Sequence, residues 1–530
     1  MTSLSSIDLV VFGVYISAMI LIGLWGGRKK KVTAAEFFIT NKALPWYIIG
    51  FSFIAATVSA QQLIGSVGFS YRYGLAVANW EWLNGFAILL LVFIFVPFYI
   101  RKKIVTMPQF LGLRYDRATQ RLFAYITLLT YIFINLAGVI YSGAFALHAI
   151  FGINIGVGIW SLAVIAGVFT IYGGMESVAW TNVLQSVLLL LSGVLIFILG
   201  WYALPGGWAQ IIGSGERSQL LLPSSHPDLP GTGLFVLMVS TNVWFFCTNQ
   251  SINQSSLGAR NEWHAKMGVL MVGFLSLFVA VADVFPGMIA YALNPNLERP
   301  DESYIYLVNT LVPAGARGLF FAVLCGGTIT AIEALVNASS TILTLDIYQK
   351  HFPETDQKKL IAIGRLGSLM TLTIGALWAP VVARFDYIFS YFQECWAFIA
   401  IPAAVIFVMG ILWKGVTAKA AWVTLCLSFP MLLLPYVLRL ANISTNVYHV
   451  AALVLIFTTF FCWVVSVATK SDAEVSGARD EAVWKFSMTQ LPSSLFPNGY
   501  PWYKRVSFWA IGMVVIYVLL YASLVGNTAG

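Results

Sequence analysis

Charged residues are scarce in this chain. Of its 530 residues only 10% are charged, while 59% are hydrophobic. A soluble domain carries about 25% charged residues, and a soluble chain of this length needs that charge to keep its surface hydrated. The composition therefore excludes soluble globular, disordered and nucleic-acid-binding proteins. It favours a protein that is embedded in a membrane.

Cysteine and the usual catalytic motifs are also rare or absent. The chain has five cysteines, all in apolar runs and none in a CxxC pair: Cys247, Cys325, Cys395, Cys426 and Cys462. This excludes a disulfide framework and a zinc site. No phosphate-binding loop, GxGxxG pattern or nucleophile elbow occurs. We therefore expect neither enzymatic activity nor an organic cofactor.

Long apolar stretches dominate what is present. A helix needs about 20 apolar residues to cross the hydrocarbon core, and fourteen candidates of this kind occur, numbered spans 0 to 13 in chain order. They are 6–27, 45–71, 76–100, 121–150, 155–174, 178–204, 232–258, 267–293, 314–349, 361–383, 386–413, 418–438, 447–468 and 503–525. The pattern predicts an all-α polytopic membrane protein.

The basic residues indicate its orientation. With the N-terminus outside, 24 of the 30 Lys and Arg residues fall at the cytoplasmic ends of the spans. The other six are Arg72, Arg217, Arg299, Arg317, Arg384 and Arg439. Because cytoplasmic loops are enriched in Lys and Arg, this predicts an even number of spans with both termini outside. The expected location is the inner (plasma) membrane.

Two spans contain too many polar residues to serve only as lipid-facing helices. Span 1 holds Ser52, Thr57, Ser59, Gln61, Gln62, Gly65, Ser66 and Gly68, and span 6 holds Asn242, Thr248, Asn249, Gln250, Ser251, Asn253 and Gln254. Polar groups at this depth need partners or a wet cavity. Interrupted helices at corresponding positions of two five-helix units are typical of inverted-repeat transporters. The alternative is that these side chains only join neighbouring helices.

Three carboxylates lie deep within predicted spans. Glu81 is on span 2, Asp283 on span 7 and Glu333 on span 8. Ionisable residues in the membrane interior are costly, and they face a cavity or a partner. We therefore treat each of them as a candidate functional residue.

The chain resembles the solute:sodium symporter family, especially its bacterial sodium/galactose and animal sodium/glucose branches. The resemblance rests on 55–65, Trp80-Glu81-Trp82, 131–136, Ile171-Tyr172-Gly173-Gly174, 344–348 and Phe392-Gln393-Glu394. It implies a LeuT-type fold in which 1–530 forms a single transporter domain. Two inverted repeats would occupy 45–204 (spans 1–5) and 232–413 (spans 6–10), with flanking helices at 6–27 and 418–525.

The resemblance also implies a sugar site in the middle of the membrane. Its expected ligands are Gln62, Glu81, Asn84, Asn135, Asn242 and Gln393. Trp80, Phe389 and Ser66 match the outer gate, and Phe245 matches the inner gate. Amides and carboxylates suit a sugar because its hydroxyls donate and accept hydrogen bonds at once.

The implied sodium site lies between spans 1 and 8. Its ligands map to the carbonyls of Ala55, Val58 and Gly327 and to the side chains at Thr330 and Ala331. Three departures from the family pattern bear on coupling. Ala331 replaces the second hydroxyl, Asn182 stands where the family has an acidic residue, and Ser276 stands where a lysine is expected near the sugar.

Three accounts of coupling follow from these departures. Glu333 lies one helical turn beyond Thr330 and would restore the lost negative charge, which preserves coupling to Na+. Alternatively, Glu333 carries a proton in place of sodium, or coupling is lost. Asp283 similarly offers either a carboxylate near the sugar pathway or a bond confined to the helix bundle; the second is favoured.

The function implied is secondary active transport by alternating access, with Na+-coupled symport of a galactose- or glucose-like monosaccharide. Proton-coupled or uncoupled transport of a sugar, inositol or other polyol is the alternative, because of Ala331. A membrane receptor or enzyme is the rival class, although no catalytic constellation was found. The expected partners are a sugar, Na+ and the lipid bilayer, with neither nucleic acid nor an obligate protein partner.

Overall fold

The prediction of an all-helical protein is confirmed by the structure, a computed structural model of the chain. It describes residues 4–26, 44–59, 61–213, 215–385, 388–441, 446–469, 483–496 and 501–526. Within these ranges helices account for all regular structure, apart from one isolated parallel bridge between Leu44 and Ala259.

Helical segments cover the predicted spans. Nine runs in the described ranges are long and apolar enough to cross a membrane. They are Gln61–Arg101, Arg117–Phe151, Ala179–Ala203, Gly231–Thr248, Glu262–Leu293, Arg317–His351, Gln357–Arg384, Val447–Ala468 and Val506–Leu524. Shorter apolar helices are Ser6–Met19, Trp46–Thr57, Ile155–Val168, Phe398–Leu412 and Ala418–Leu434. The count of fourteen spans and the outside position of the termini stay predictions. The basic run 28–31, which contributes to that assignment, lies outside the described residues.

The boundary between spans 4 and 5 differs from the prediction. Instead of ending near Gly173-Gly174, the helix runs without a break over Ile155–Ala203. Its two halves nevertheless contact different neighbours, since Gly158 approaches Ala144 of span 3 and Gly193 approaches Ala282 of span 7. Glycine weakens a helix but keeps its backbone N–H donor, whereas proline has no N–H and removes a backbone hydrogen bond. Two glycines were therefore insufficient evidence for a helix end.

The interruptions predicted in spans 1 and 6 are confirmed. In span 1 the helix Trp46–Thr57 ends at the extended residue Val58, and a π-helical turn over Gln61–Ser66 precedes Val67–Tyr73. In span 6, Gly231–Val243 leads into a π-helical turn over Trp244–Thr248. The extended residue Asn249 then separates this turn from Gln250–Leu257. Both breaks leave backbone groups without helical partners.

The two interrupted helices run in opposite directions beside each other. The start of span 1 meets the end of span 6. Leu44 N donates to the Gly258 carbonyl at 3.2 Å, and the Leu44 carbonyl accepts from Arg260 N at 3.1 Å. Further along, the rings of Phe53 and Phe246 stack with their centroids 6.1 Å apart. This arrangement brings both breaks to the same depth in the bundle.

Span 8 occupies the centre of the bundle. Nearly every side chain of Arg317–Thr341 is buried. The helix packs closely against its neighbours. A Cβ added at Gly326 would lie only 2.7 Å from the Tyr15 hydroxyl of span 0, and Gly143 of span 3 faces Thr328. Small residues of this kind let membrane helices approach each other without a hydrophobic driving force.

The segment before the last helix is anchored on the ends of spans 2 and 7. Glu262 forms ion pairs with Arg101 at 2.8 Å and with Lys266 at 2.9 Å. Lys266 also donates to the carbonyl of Thr489 at 3.1 Å, and Trp484 donates to the carbonyl of Phe93 at 3.0 Å. The ion-pair cluster therefore ties three distant parts of the chain together.

We expect Glu262→Gln to lower the thermal unfolding temperature of the purified protein by several degrees. The substitution leaves the buried Lys266 ammonium without its counter-charge, and breaking one partner of a buried ion pair costs about 3–5 kcal/mol. The measurement is a thermal unfolding curve in detergent. Glu298→Gln, at an exposed position, is the matched control and should unfold like the wild type. Equal curves for all three proteins would contradict a stabilising role for this cluster.

Candidate functional site

A central cavity lies between the breaks of spans 1 and 6. The space that no protein atom fills measures about 970 Å³, including the part that is open to solvent. Side chains from spans 1, 2, 3, 6, 7, 8 and 10 line it. A concave site of this size with convergent polar groups is typical of small-molecule binding.

All six residues predicted to bind sugar line this one cavity. They come from spans 1, 2, 3, 6 and 10: Gln62, Glu81, Asn84, Asn135, Asn242 and Gln393. Residues up to 331 positions apart in the chain are thus brought together. Their proximity is a structural finding, whereas their role in ligand binding stays a prediction.

Three π-helical turns each direct at least one side chain to the cavity. Gln62 is in the turn Gln61–Ser66, Asn135 in Thr130–Leu136 and Phe245 in Trp244–Thr248. Such turns are rare in proteins as a whole, but they are frequent at functional sites. The wider backbone turn changes the direction in which a side chain points. Here the effect is that three different helices direct side chains into the same cavity.

The Gln62 amide joins two of the carboxylates noted in the sequence. Its Nε2 donates to Glu81 Oε1 at 2.6 Å and to Asp283 Oδ2 at 2.9 Å. Asn84 Nδ2 lies 3.4 Å from the other Glu81 oxygen. Asp283 therefore bonds within the bundle to a residue that lines the cavity, and a role for its carboxylate near the sugar pathway stays a prediction.

Several polar groups of the cavity have no partner among the described residues. Asn135 Oδ1 accepts from Trp396 Nε1 at 2.8 Å, but Asn242 Nδ2 and Gln393 Oε1 are buried without a hydrogen bond there. Leaving a buried polar group unpaired costs about 1–3 kcal/mol. Because both residues line the cavity, a ligand with donors and acceptors would supply the missing partners once it reaches these atoms.

Aromatic rings close the cavity on two sides. Trp80 and Phe389 both line it, and Phe69 packs between them with ring centroids at 5.5 and 4.9 Å. On the other side Phe245 contacts Trp396, with centroids 5.6 Å apart. The predicted gate residue Ser66 is buried but is not part of the lining.

The residues predicted to bind sodium also lie close together. Val58 and Ala331 line the cavity, and a Cβ at Gly327 would lie 3.7 Å from the Cα of Ser59. Thr330 Oγ1 donates to the Gly327 carbonyl at 3.1 Å. Ala55 is in the last turn of Trp46–Thr57, where carbonyls lack helical partners. All the predicted ligand atoms are oxygens, which hard cations such as Na+ prefer.

Glu333 lies on a different face of span 8. The cavity receives Ala331 and Leu335 from this helix, one turn apart. At about 100° per residue, Glu333 lies about 200° from Ala331 around the helix axis. Its carboxylate is buried, and Oε1 has no hydrogen bond among the described residues. Glu333 therefore does not line the cavity, and a role as an auxiliary charge stays a prediction.

Sequence reasoning missed the lining residues Thr241 and Trp396 and the gating residue Phe69, and it named Asn249 only as one of the polar residues of span 6. Trp396 lies one turn beyond Gln393, so its helical spacing from a predicted ligand was a usable signal. Asn249 accepts from Ser251 N at 3.1 Å and so caps the helix after the break. Its Oδ1 also accepts from the Tyr131 hydroxyl.

Two interrupted, oppositely directed helices around a polar cavity inside an all-helical bundle define a class of protein. This is the architecture of secondary transporters with discontinuous helices. A family model described as the sodium:solute symporter family matches residues 37–214 and 243–427. The chain belongs to this family, and it is a multi-pass integral membrane protein.

Curated relatives match over most of their length. A sodium/glucose cotransporter from Vibrio parahaemolyticus is 32% identical, over 81% of this chain and 85% of its own. Sodium/glucose cotransporter 4 from Danio rerio is 30% identical, over 79% and 70%. Sodium/myo-inositol cotransporter 2 from Oryctolagus cuniculus is 29% identical, over 82% and 71%. These relatives are named as transporters rather than enzymes.

Solved structures support the fold. A Na+-coupled sialic acid symporter, in a substrate-bound outward-open state, superposes with a TM-score of 0.77 and 20% identity, covering 88% of this chain and 98% of that one. The nucleobase-cation symporter MHP1 gives a TM-score of 0.52 with 16% identity, covering 85% and 99%. At these identities the likeness shows the LeuT-type fold alone.

We expect Asn249→Ala to lower the thermal unfolding temperature, because it removes the cap of Gln250–Leu257. Loss of an N-cap side chain costs about 0.5–2 kcal/mol, and the substitution also leaves the Tyr131 hydroxyl without this acceptor. Asn249→Ser keeps a capping oxygen and should unfold closer to the wild type. Tyr131→Phe isolates the second contribution. If the Ala and Ser variants unfold alike, Asn249 does not stabilise the break through capping.

Proposed function

We propose that this protein is a secondary active transporter that couples the inward movement of Na+ to the uptake of a monosaccharide across the plasma membrane. Membership of the sodium:solute symporter family and relatives named as sodium/glucose cotransporters support this function. The observation that carries the sugar assignment is the set of buried amides and the carboxylate around one cavity.

The cavity is chemically suited to a ring bearing many hydroxyls. Gln393 Oε1 and Asn242 Nδ2 offer an acceptor and a donor, and half-buried Glu81 offers a strong acceptor. A site built to pair with hydroxyls rejects a solute that lacks them, because its own groups would stay unpaired. The aromatic rings of Trp80, Phe389 and Phe245 would pack against the apolar face of the sugar.

Alternating access would arise from the two five-helix units, 45–204 and 232–413. In this proposal Na+ binds near the break of span 1 and favours an outward-facing state, and sugar binding then completes the site. The aromatic residues Trp80 and Phe389 close above the sugar. Opening past Phe245 releases sugar and ion to the other side.

A Na+ ion would be held at the meeting point of spans 1 and 8. The carbonyls of Ala55, Val58 and Gly327 and the Thr330 hydroxyl supply oxygen ligands for this co-substrate. Ala331, which lines the cavity beside Val58, supplies none. We therefore expect coupling to be retained with a weaker affinity for Na+ than a second hydroxyl would give.

We expect galactose or glucose uptake into proteoliposomes to require an inward Na+ gradient. Gln393→Ala should raise the KM for sugar about fivefold or more, because it removes a buried acceptor from the site. The measurement is radiolabelled uptake at a fixed membrane potential, with K+ replacing Na+ as the control. Equal uptake in Na+ and K+ would contradict coupling to sodium. Preferential uptake of myo-inositol, which relatives named as inositol cotransporters make the second candidate, would change the substrate and leave the site intact.

Ala331→Thr should lower the Na+ concentration for half-maximal uptake about fivefold, because it adds the missing hydroxyl oxygen beside Thr330. Ala331→Val has nearly the shape of threonine without the oxygen and is the matched control. The measurement is sugar uptake as a function of Na+ concentration for the three proteins. If the Thr and Val variants respond alike, position 331 is not next to the ion.

A further inference from the structure

Two carboxylates flank a single amide at the edge of the cavity. Because Gln62 Nε2 lies 2.6 Å from Glu81 Oε1 and 2.9 Å from Asp283 Oδ2, those two oxygens are no further apart than the sum of these distances, about 5.5 Å. Asp283 is fully buried and does not line the cavity, so it lies behind Gln62 as seen from the ligand. Its second oxygen has no hydrogen bond among the described residues.

In the part of the chain that the structure describes, no basic side chain is paired with these two carboxylates. The cavity lining contains no Lys, Arg or His among the described residues, and Ser276 occupies the nearby position on span 7. Of the helical stretches that contact span 7, Trp46–Thr57, Asn84–Leu90 and Ala179–Ala203 carry no charged residue or histidine, nor does the continuation Phe285–Leu293, and Asn79–Trp82 adds only Glu81 itself. The exposed Arg72 lies at the outer end of span 1, and Lys266 is at the opposite end of span 7.

The remaining titratable groups near the pair are tyrosines of the last helix. Tyr517 approaches Glu81 and donates to the Gly273 carbonyl at 2.8 Å. Tyr521 donates to Asn79 Oδ1 at 3.0 Å. Neutral hydroxyls do not compensate a second negative charge. Two carboxylates this close in a poorly solvated site both ionise only if a cation balances them. Without a cation, one of the two holds a proton.

We propose that the Glu81–Gln62–Asp283 cluster holds one proton in the state that binds sugar, and that this proton resides on Asp283. This inference rests on the proposed function, because its observable consequence is a change in the affinity for the sugar that Gln62 is proposed to bind. The choice between the two carboxylates follows from their surroundings. Glu81 has a second amide nearby in Asn84 and borders the cavity, whereas Asp283 has one amide partner and full burial.

A metal ion or a charged substrate fits this position less well than a proton. The group between the two carboxylates is an amide that directs N–H donors at both of them, whereas a hard cation needs several oxygen ligands. An amino group on a substrate would have to pass Gln62 to reach Asp283. A proton from hydronium needs only to bind to one Asp283 oxygen: one O–H bond of hydronium breaks, one O–H bond forms on the carboxylate, and a water molecule is left.

The proton would control what Gln62 offers to the sugar. With Asp283 ionised, both N–H groups of the amide are engaged by carboxylates, and only the amide oxygen remains for a ligand. With Asp283 protonated, its oxygen accepts more weakly, so the Gln62 amide can turn about its last side-chain torsion and direct an N–H group to the sugar. Sugar binding should therefore be tighter when Asp283 carries the proton, and it should weaken as pH rises.

The test compares sugar binding by the wild type, Asp283→Asn and Asp356→Asn in saturating Na+. Radiolabelled galactose and glucose binding are measured from mildly acidic to mildly alkaline pH. We expect wild-type affinity to fall roughly fivefold towards alkaline pH, the size of one lost hydrogen bond. Asp283→Asn, a neutral side chain of the same shape, should keep the tight affinity throughout. Asp356 caps an exposed helix end far from the cavity, and its variant should follow the wild type.

A pH dependence that persists unchanged in Asp283→Asn overturns the proposal, as does a flat wild-type profile. Tighter binding of galactosamine than of galactose, with the preference lost in Asp283→Asn, would show instead that the pair balances a charge on the substrate. If the wild type binds no galactose, glucose or myo-inositol at any pH, the proposed function itself fails.

A second measurement needs no variant. If sugar binding favours the protonated cluster, adding galactose to the wild-type protein in weakly buffered alkaline solution must take up protons. A pH indicator dye would record this uptake, with sodium gluconate as the control for dilution. Sugar binding without proton uptake would overturn the proposal even if Asp283→Asn does not fold.

Discussion

The structure depends on one constraint, which is that hydrocarbon offers no partner to a polar group. Each amide, hydroxyl or carboxylate placed inside the membrane must be satisfied by the protein or by what the protein binds. The breaks at Val58 and Asn249 concentrate such groups in the middle of the bundle. Part of their demand is met internally, as in the contact of Gln62 with two carboxylates. The unmet part defines a site for a solute that can supply hydrogen bonds.

The break in span 1 links the two predicted ligands of the transporter. Val58 lies at the break beside the predicted ion site, and Gln62 follows it by one turn, in the π-helical turn that faces the cavity. A shift of this short stretch would therefore change the predicted ion site and the predicted sugar site together. This is a physical basis for coupling that requires no long pathway between separate sites.

Aromatic and small residues have complementary roles around the cavity. Phe69, Trp80 and Phe389 form a layer on one side, and Phe245 and Trp396 meet on the other. Rings of this size exclude water over a large area while keeping few internal degrees of freedom. Close glycine contacts around span 8 let the surrounding helices pack tightly around the polar site.

Much of the fold and the site was predictable, and the failures have specific causes. Apolar length located the spans, and polar residues within spans 1 and 6 indicated the interruptions correctly. The Gly173-Gly174 pair was misread as a helix end, because glycine permits a break without requiring one. Glu333 lies one helical turn beyond Thr330 as expected, but the cavity receives the face of span 8 that carries Ala331, so its role as an auxiliary charge stays a prediction.

The sequence by itself determined that the chain is a helical membrane protein, which family it resembles and which polar residues needed an explanation. These features are local, since they depend on composition, apolar length and short motifs. Only the tertiary structure decided that Asp283 reaches Gln62, that Glu333 does not line the cavity, and that Phe69 and Trp396 help to enclose it. Such contacts depend on how helices distant in the chain are rotated and packed against each other. Spacing along one helix contains no information about the face that its neighbour presents.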